Sequence, residues 1–121
     1  MWQSVPVVEP FSAEQEWLTI PEVAEKLVVP IGRVHRLIED HHLIEVKRDG
    51  VRYVPIEAIA ENEPLPSLRG TVLVLLDAGF DIGGAINWLY TNHEALGTTP
   101  ILALVSGKKT EIRRLAQALA L

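Results

Sequence analysis

Between Thr19 and Pro55 the apolar period changes from helical to alternating, with a chain-turning sequence at each break, and this admits only short, tightly turned elements. Thr19-Ile20-Pro21-Glu22 fits a capping box: the Thr19 hydroxyl accepts from the Glu22 amide and the Glu22 carboxylate reaches back. Pro21 sits in the first turn, where its missing donor is not needed. Ile20, Val23, Ala24 and Leu27 recur at helical spacing, Val28-Val29-Pro30 breaks the period, and residues 31–40 resume it with Ile31, Val34, Leu37 and Ile38 on one side. Two short helices joined by a tight turn are predicted. After His41-His42, the stretches Leu43 to Lys47 and Val51 to Val54 are rich in β-formers and flank Arg48-Asp49-Gly50, which predicts a small hairpin with glycine where positive φ is needed. Pro55 opens a last helical turn over 56–60.

Composition sets the limits around this unit. The 121 residues are 48% hydrophobic and 22% charged, as expected of a globular chain able to bury a core without disulfides or metals. There is no cysteine, which removes disulfides, thiol catalysis and Cys-ligated metals. The apolar run from Thr71 to Leu76 is far short of the roughly 20 residues of a membrane helix, and no basic, apolar signal sequence opens the chain. A cytoplasmic location is expected by default. No paired carboxylates, HExxH or Ser-His-Asp set stands at a meaningful spacing, so neither enzymatic activity nor a cofactor or metal is expected.

Three regions follow. Residues 1–16, with Pro6, Pro10 and acids but no period, read as a disordered acidic arm. Residues 17–63 hold the compact unit, and Glu61-Asn62-Glu63-Pro64-Leu65-Pro66 reads as a linker. Residues 64–121 are expected to be all-helical, with helices at 67–78, 82–90, 100–106 and 109–120. Asp81 and Thr99 serve as N-caps there, and Gly79 and Gly107 as stops. Trp88, with Leu89 and Phe80, is the expected core anchor of this half.

Helix, turn, helix, hairpin is the order of a winged helix-turn-helix. The expected fold is therefore mainly α with a β-hairpin wing, followed by a C-terminal helical bundle. The net charge of −5 argues against a polyanionic partner, but its distribution does not. Residues 1–25 carry five acids and no base, residues 30–53 carry five bases against four acids, and Lys108, Lys109, Arg113 and Arg114 gather near the end. If Val34, Leu37 and Ile38 face inward, then Gly32, His35, Arg36 and Glu39 face outward, with Arg33 at the edge. Such a helix suits the DNA major groove. Arg36, with His35, is placed to read base edges, while Arg33, Lys47, Arg48 and Arg52 suit phosphates. Lys108, Lys109, Arg113 and Arg114 either extend a DNA footprint, bind an acidic partner, or form a solvated face.

The residues Trp17-Leu18-Thr19-Ile20-Pro21-Glu22-Val23-Ala24-Glu25-Lys26-Leu27, Arg33-Val34, Leu43 and Val51-Arg52-Tyr53-Val54-Pro55 resemble the MerR-like or excisionase-type winged helix. The whole chain is similar to actinobacterial winged-helix DNA-binding regulators that are substrates of a Ser/Thr protein kinase. Leu76-Asp77-Ala78-Gly79-Phe80, Ile86-Asn87-Trp88-Leu89 and Arg113-Arg114-Leu115-Ala116-Gln117-Ala118 carry that similarity in the second half. The resemblance implies double-stranded DNA as partner, a role in transcription regulation, and kinase control through an N-terminal threonine. Here the arm before Trp17 holds Ser4 and Ser12 and no threonine. The C-terminal helices are also a candidate homodimerisation unit. A second resemblance, on Trp88-Leu89, Asn92, Leu96-Gly97, Pro100, Leu104 and Gly107, is to the toxin-binding domain of Xre/ParS-type antitoxins, and implies a protein-interaction module as the alternative.

Overall fold

The computed structural model describes residues 16–119. The arm expected over 1–16, with Ser4 and Ser12, lies outside them except for Glu16. The chain runs β1 (Trp17–Thr19), α1 (Ile20–Leu27), α2 (Ile31–Glu39), β2 (Val46–Arg48), β3 (Val51–Pro55), a 3-10 turn (Ile56–Ala58), β4 (Ile59–Ala60), β5 (Glu63–Pro64), α3 (Leu68–Asp77), α4 (Ile82–Leu89), α5 (Pro100–Val105) and α6 (Lys109–Ala118). The fold is mainly helical with a small antiparallel sheet, in the winged helix-turn-helix order.

The capping box forms as spaced: Thr19 N donates to Glu22 Oε1 at 2.8 Å, and Glu22 N to Thr19 Oγ1 at 3.4 Å. Thr19 also ends β1, a strand with no sequence signal, which pairs Trp17 with Pro55, Leu18 with Val54 and Thr19 with Tyr53. The sheet is thus three-stranded, in the order β1-β3-β2. The wing turns through Asp49 and Gly50, both at positive φ (53° and 79°), as a two-residue hairpin loop requires. Its first strand begins only at Val46. Leu43 and Ile44 are each 1% exposed, and two consecutive buried side chains do not fit a strand with one solvated face.

Helix α1 ends at Val28, whose φ of 59° lies in the left-handed region that L residues avoid by about 1–2 kcal/mol. Val28 is 81% exposed, and the expected inward-facing Ile31 is 48% exposed. The tight turn tips both out of the core, beside a shallow groove that Pro21 and Ala24 also line.

The stretch expected as a linker is folded. β4 pairs with β5 around Glu61, at φ 60°, and Leu65 is buried with its amide donating to the Ala58 carbonyl at 2.8 Å. One core therefore runs through both halves, from Val23, Val34 and Val54 to Leu68, Leu75, Leu89, Ile101 and Ile112. In the second half the helix limits fall close to those expected. Asp81 accepts from Gly84 N at 2.7 Å, Thr99 from Leu102 N at 3.4 Å, and Gly79 and Gly107 take positive φ past the ends of α3 and α5. Leu89 and Tyr90 fill the interior; Trp88, the expected anchor, is half-buried and edge-on to His93 at 5.4 Å. Among the described residues no helix is long and apolar enough to cross a membrane.

Candidate nucleic-acid interface

Helix α2 has a sharply two-sided surface. Val34 and Leu37 are buried, while Arg33, His35, Arg36 and Glu39 are exposed, so the three expected contact residues stand together in solvent. Arg36 lies in the last turn, where the negative end of the helix dipole favours a cation. Glu39, three residues on, makes no ion pair with it: among the described residues the one salt bridge is Arg52 Nε to Glu45 Oε2, at 4.0 Å. Arg36 therefore keeps its forked donors for a partner, and a guanidinium on a convex helix suits bidentate pairing with a guanine edge. The C-terminus of α2 is closed by backbone bonds around His41, at φ 66°, with His42 N donating to the Leu37 carbonyl at 2.9 Å.

The wing divides its three cations. Register sets Lys47 directly opposite Arg52 and Arg48 opposite Val51. Because side chains alternate along a strand, Lys47 and Arg52 share one face, while Arg48 shares the other with Tyr53 and Trp17. Like charges directly opposite each other repel. Glu45 only partly offsets this, since its contact with Arg52 sits at the outer limit of an ion pair, so the Lys47/Arg52 face attracts an anion. Arg48 is arranged differently. Its guanidinium lies 5.0 Å from the centroid of the Trp17 ring, and Trp17 meets Tyr53 edge-on at 6.2 Å. This cation–π stack spans all three strands and holds the wing against β1. The structure therefore groups Arg33, His35 and Arg36 on α2 and pairs Lys47 with Arg52, but turns Arg48 to the opposite face.

Two bonds behind this surface had no sequence signal. Arg69, in the first turn of α3, donates from Nε to the Asp40 carbonyl at 2.9 Å, tying the second half of the chain to the end of α2. Tyr90 donates its buried hydroxyl to Glu57 Oε1 at 3.0 Å, and burial, reinforced by the neighbouring carboxylate, holds its phenol well above the ordinary tyrosine range. Both bonds join residues remote in sequence, so no local spacing announces them. Together they fix α2 and the wing relative to the helices behind.

Comparison with known proteins agrees with this geometry. Residues 4–58 match the family described as the wHTH domain of DNA-binding protein Rv2175c, and residues 65–120 match the Rv2175c C-terminal domain of unknown function. The chain is similar to DNA-binding protein Rv2175c of Mycobacterium tuberculosis (strain ATCC 25618 / H37Rv), with 30% identity over 114 residues covering 84% of this chain and 78% of that protein. It is also similar to an excisionase of Streptomyces ambofaciens, with 41% identity over 46 residues covering 38% of this chain and 74% of that protein. Among solved structures, the NMR structure of Rv2175c superposes with a TM-score of 0.83 at 27% identity, covering 92% of this chain and 85% of that one.

Proposed function

The chain belongs to the Rv2175c family of winged-helix DNA-binding proteins, and from that premise we propose that it binds double-stranded DNA by laying α2 in the major groove, with the wing on the backbone. The observation that carries this reading is the exposed face of α2, where Arg33, His35 and Arg36 stand without an ion pair among the described residues. Arg36 and His35 read base edges. Arg33, Lys47 and Arg52 hold phosphates, which sets register without reading sequence. Arg48 supports the wing through Trp17 rather than reaching for the backbone. In this reading residues 17–63 are the DNA-binding unit, residues 64–121 brace it, and the protein acts in the cytoplasm as a transcriptional regulator.

The test is fluorescence anisotropy of labelled duplexes across a salt series. Lys47→Ala is expected to weaken binding to all sequences alike and to flatten the slope of log affinity against log salt by about 0.9. Arg36→Ala is expected to lose about 1–3 kcal/mol on the preferred sequence and little on others. An Arg36→Ala loss that is equal on every sequence contradicts its role as a base reader.

A further inference from the structure

Helix α6 carries a second cationic surface, in the half of the chain to which the family description gives no function. At about 100° per residue, Lys109, Arg113, Gln117, Thr110 and Arg114 fall in one continuous sector of about 140°, which borders the buried stripe of Ile112 and Ala116 on the Lys109 side. Glu111, the acid of this helix, lies outside that sector. With Ser67, these five residues line a cleft of about 410 Å³, and among the described residues no carboxylate lines it. Every described side chain on its wall is a hydrogen-bond donor, three of them cationic. A cleft of that composition takes an oxyanion.

Its place in the fold selects which one. Arg113 lies across α3 where Gly70 leaves room: a Cβ at Gly70 would stand 3.0 Å from Arg113 Nη2. The preceding residue, Arg69, holds the Asp40 carbonyl at the end of α2. One turn of α3 thus connects the exit of the proposed groove-reading helix to the α6 cleft, with Arg69 on one flank and Arg113 on the other. Where a recognition helix leaves the major groove, the next feature of the duplex is the sugar-phosphate backbone. We propose that the α6 cleft is a second clamp for DNA phosphates, with Lys109, Arg113 and Arg114 extending the footprint beyond the α2 contact. This rests on the DNA-binding reading above.

The experiment uses the full chain and a duplex of about 25 base pairs. The triple variant Lys109→Gln, Arg113→Gln, Arg114→Gln removes the three charges from exposed positions. A conservative triple, Lys109→Arg, Arg113→Lys, Arg114→Lys, keeps them. With about 0.9 in slope per phosphate, the neutral triple flattens the salt dependence by about 2.7, so its affinity loss between 50 and 200 mM salt is about 40-fold smaller than that of the wild type. The conservative triple keeps the wild-type slope. A neutral triple that keeps the wild-type slope, with the wild type binding normally, overturns the clamp and leaves the α2 reading intact. A conservative triple as flat as the neutral one overturns it too, since charge then does not explain the loss. A wild type that binds no duplex at any salt removes the DNA-binding reading itself.

Discussion

The two halves of the molecule present positive charge in opposite shapes. Helix α2 offers Arg33, His35 and Arg36 on the exposed, convex side of a helix, whereas α6 sets Lys109, Arg113 and Arg114 along the wall of a cleft that the start of α3 also lines. A groove reader has to protrude, because base edges are reached only by a helix that enters the groove. A surface that holds a backbone can be hollow, since phosphates project outward. The wing repeats the contrast on a smaller scale. Lys47 and Arg52 face one side and repel each other, while Arg48 on the other side is held over Trp17. Shape and pairing, more than the number of cations, distinguish these surfaces.

That contrast requires the halves to be held as one body, and the strongest way to break it is through the shared core. Leu75, fully buried on α3, lies far in sequence from α2. Leu75→Ala is expected to reduce stability by about 3 kcal/mol, and thermal denaturation followed by amide NMR should show α2 and α6 melting together. If α6 melts first while α2 persists, the halves are independent and the brace fails.

A smaller effect is expected at the joint. Tyr90→Phe removes the hydroxyl donated to Glu57 and should lower stability near neutral pH by about 1–2 kcal/mol in a urea titration. The pH dependence sharpens the point. The Tyr90 phenol is held above its ordinary value, so the folded chain retains the proton after the unfolded chain has released it. Its contribution is full below about pH 10 and declines as pH rises further. The wild type should therefore lose stability more steeply than Tyr90→Phe above about pH 10. Parallel curves for the two proteins would place the phenol outside the joint.

Much of this was legible in the sequence where local chemistry decides structure. The Thr19/Glu22 box, the Asp49-Gly50 turn, the Asp81 and Thr99 caps and the Gly79 and Gly107 stops each act over a few residues, and the helices ended near where they indicated. What was not legible depends on distant partners. β1 is three residues long and exists because β3 lies beside it. Glu61 to Pro66 has the composition of a linker, yet Leu65 reaches the common core. Trp88 and Leu89 are adjacent apolar residues on one helix, and only the packing of the neighbouring helices decides which turns inward. Among the candidate contacts, the exposure of Arg33, His35 and Arg36 followed from the inward stripe of α2. The placement of Arg48 over Trp17 could not be read, because that ring sits on a strand that spacing did not reveal.

The central claim is that α2 enters the groove, and amide chemical-shift mapping of the full chain during titration with duplex DNA tests it most directly. The largest shifts are expected at residues 31–40, with a second set at the wing turn Asp49-Gly50 and little change in α4. Shifts confined to the C-terminal helices, with residues 31–40 unmoved at saturation, would contradict the account.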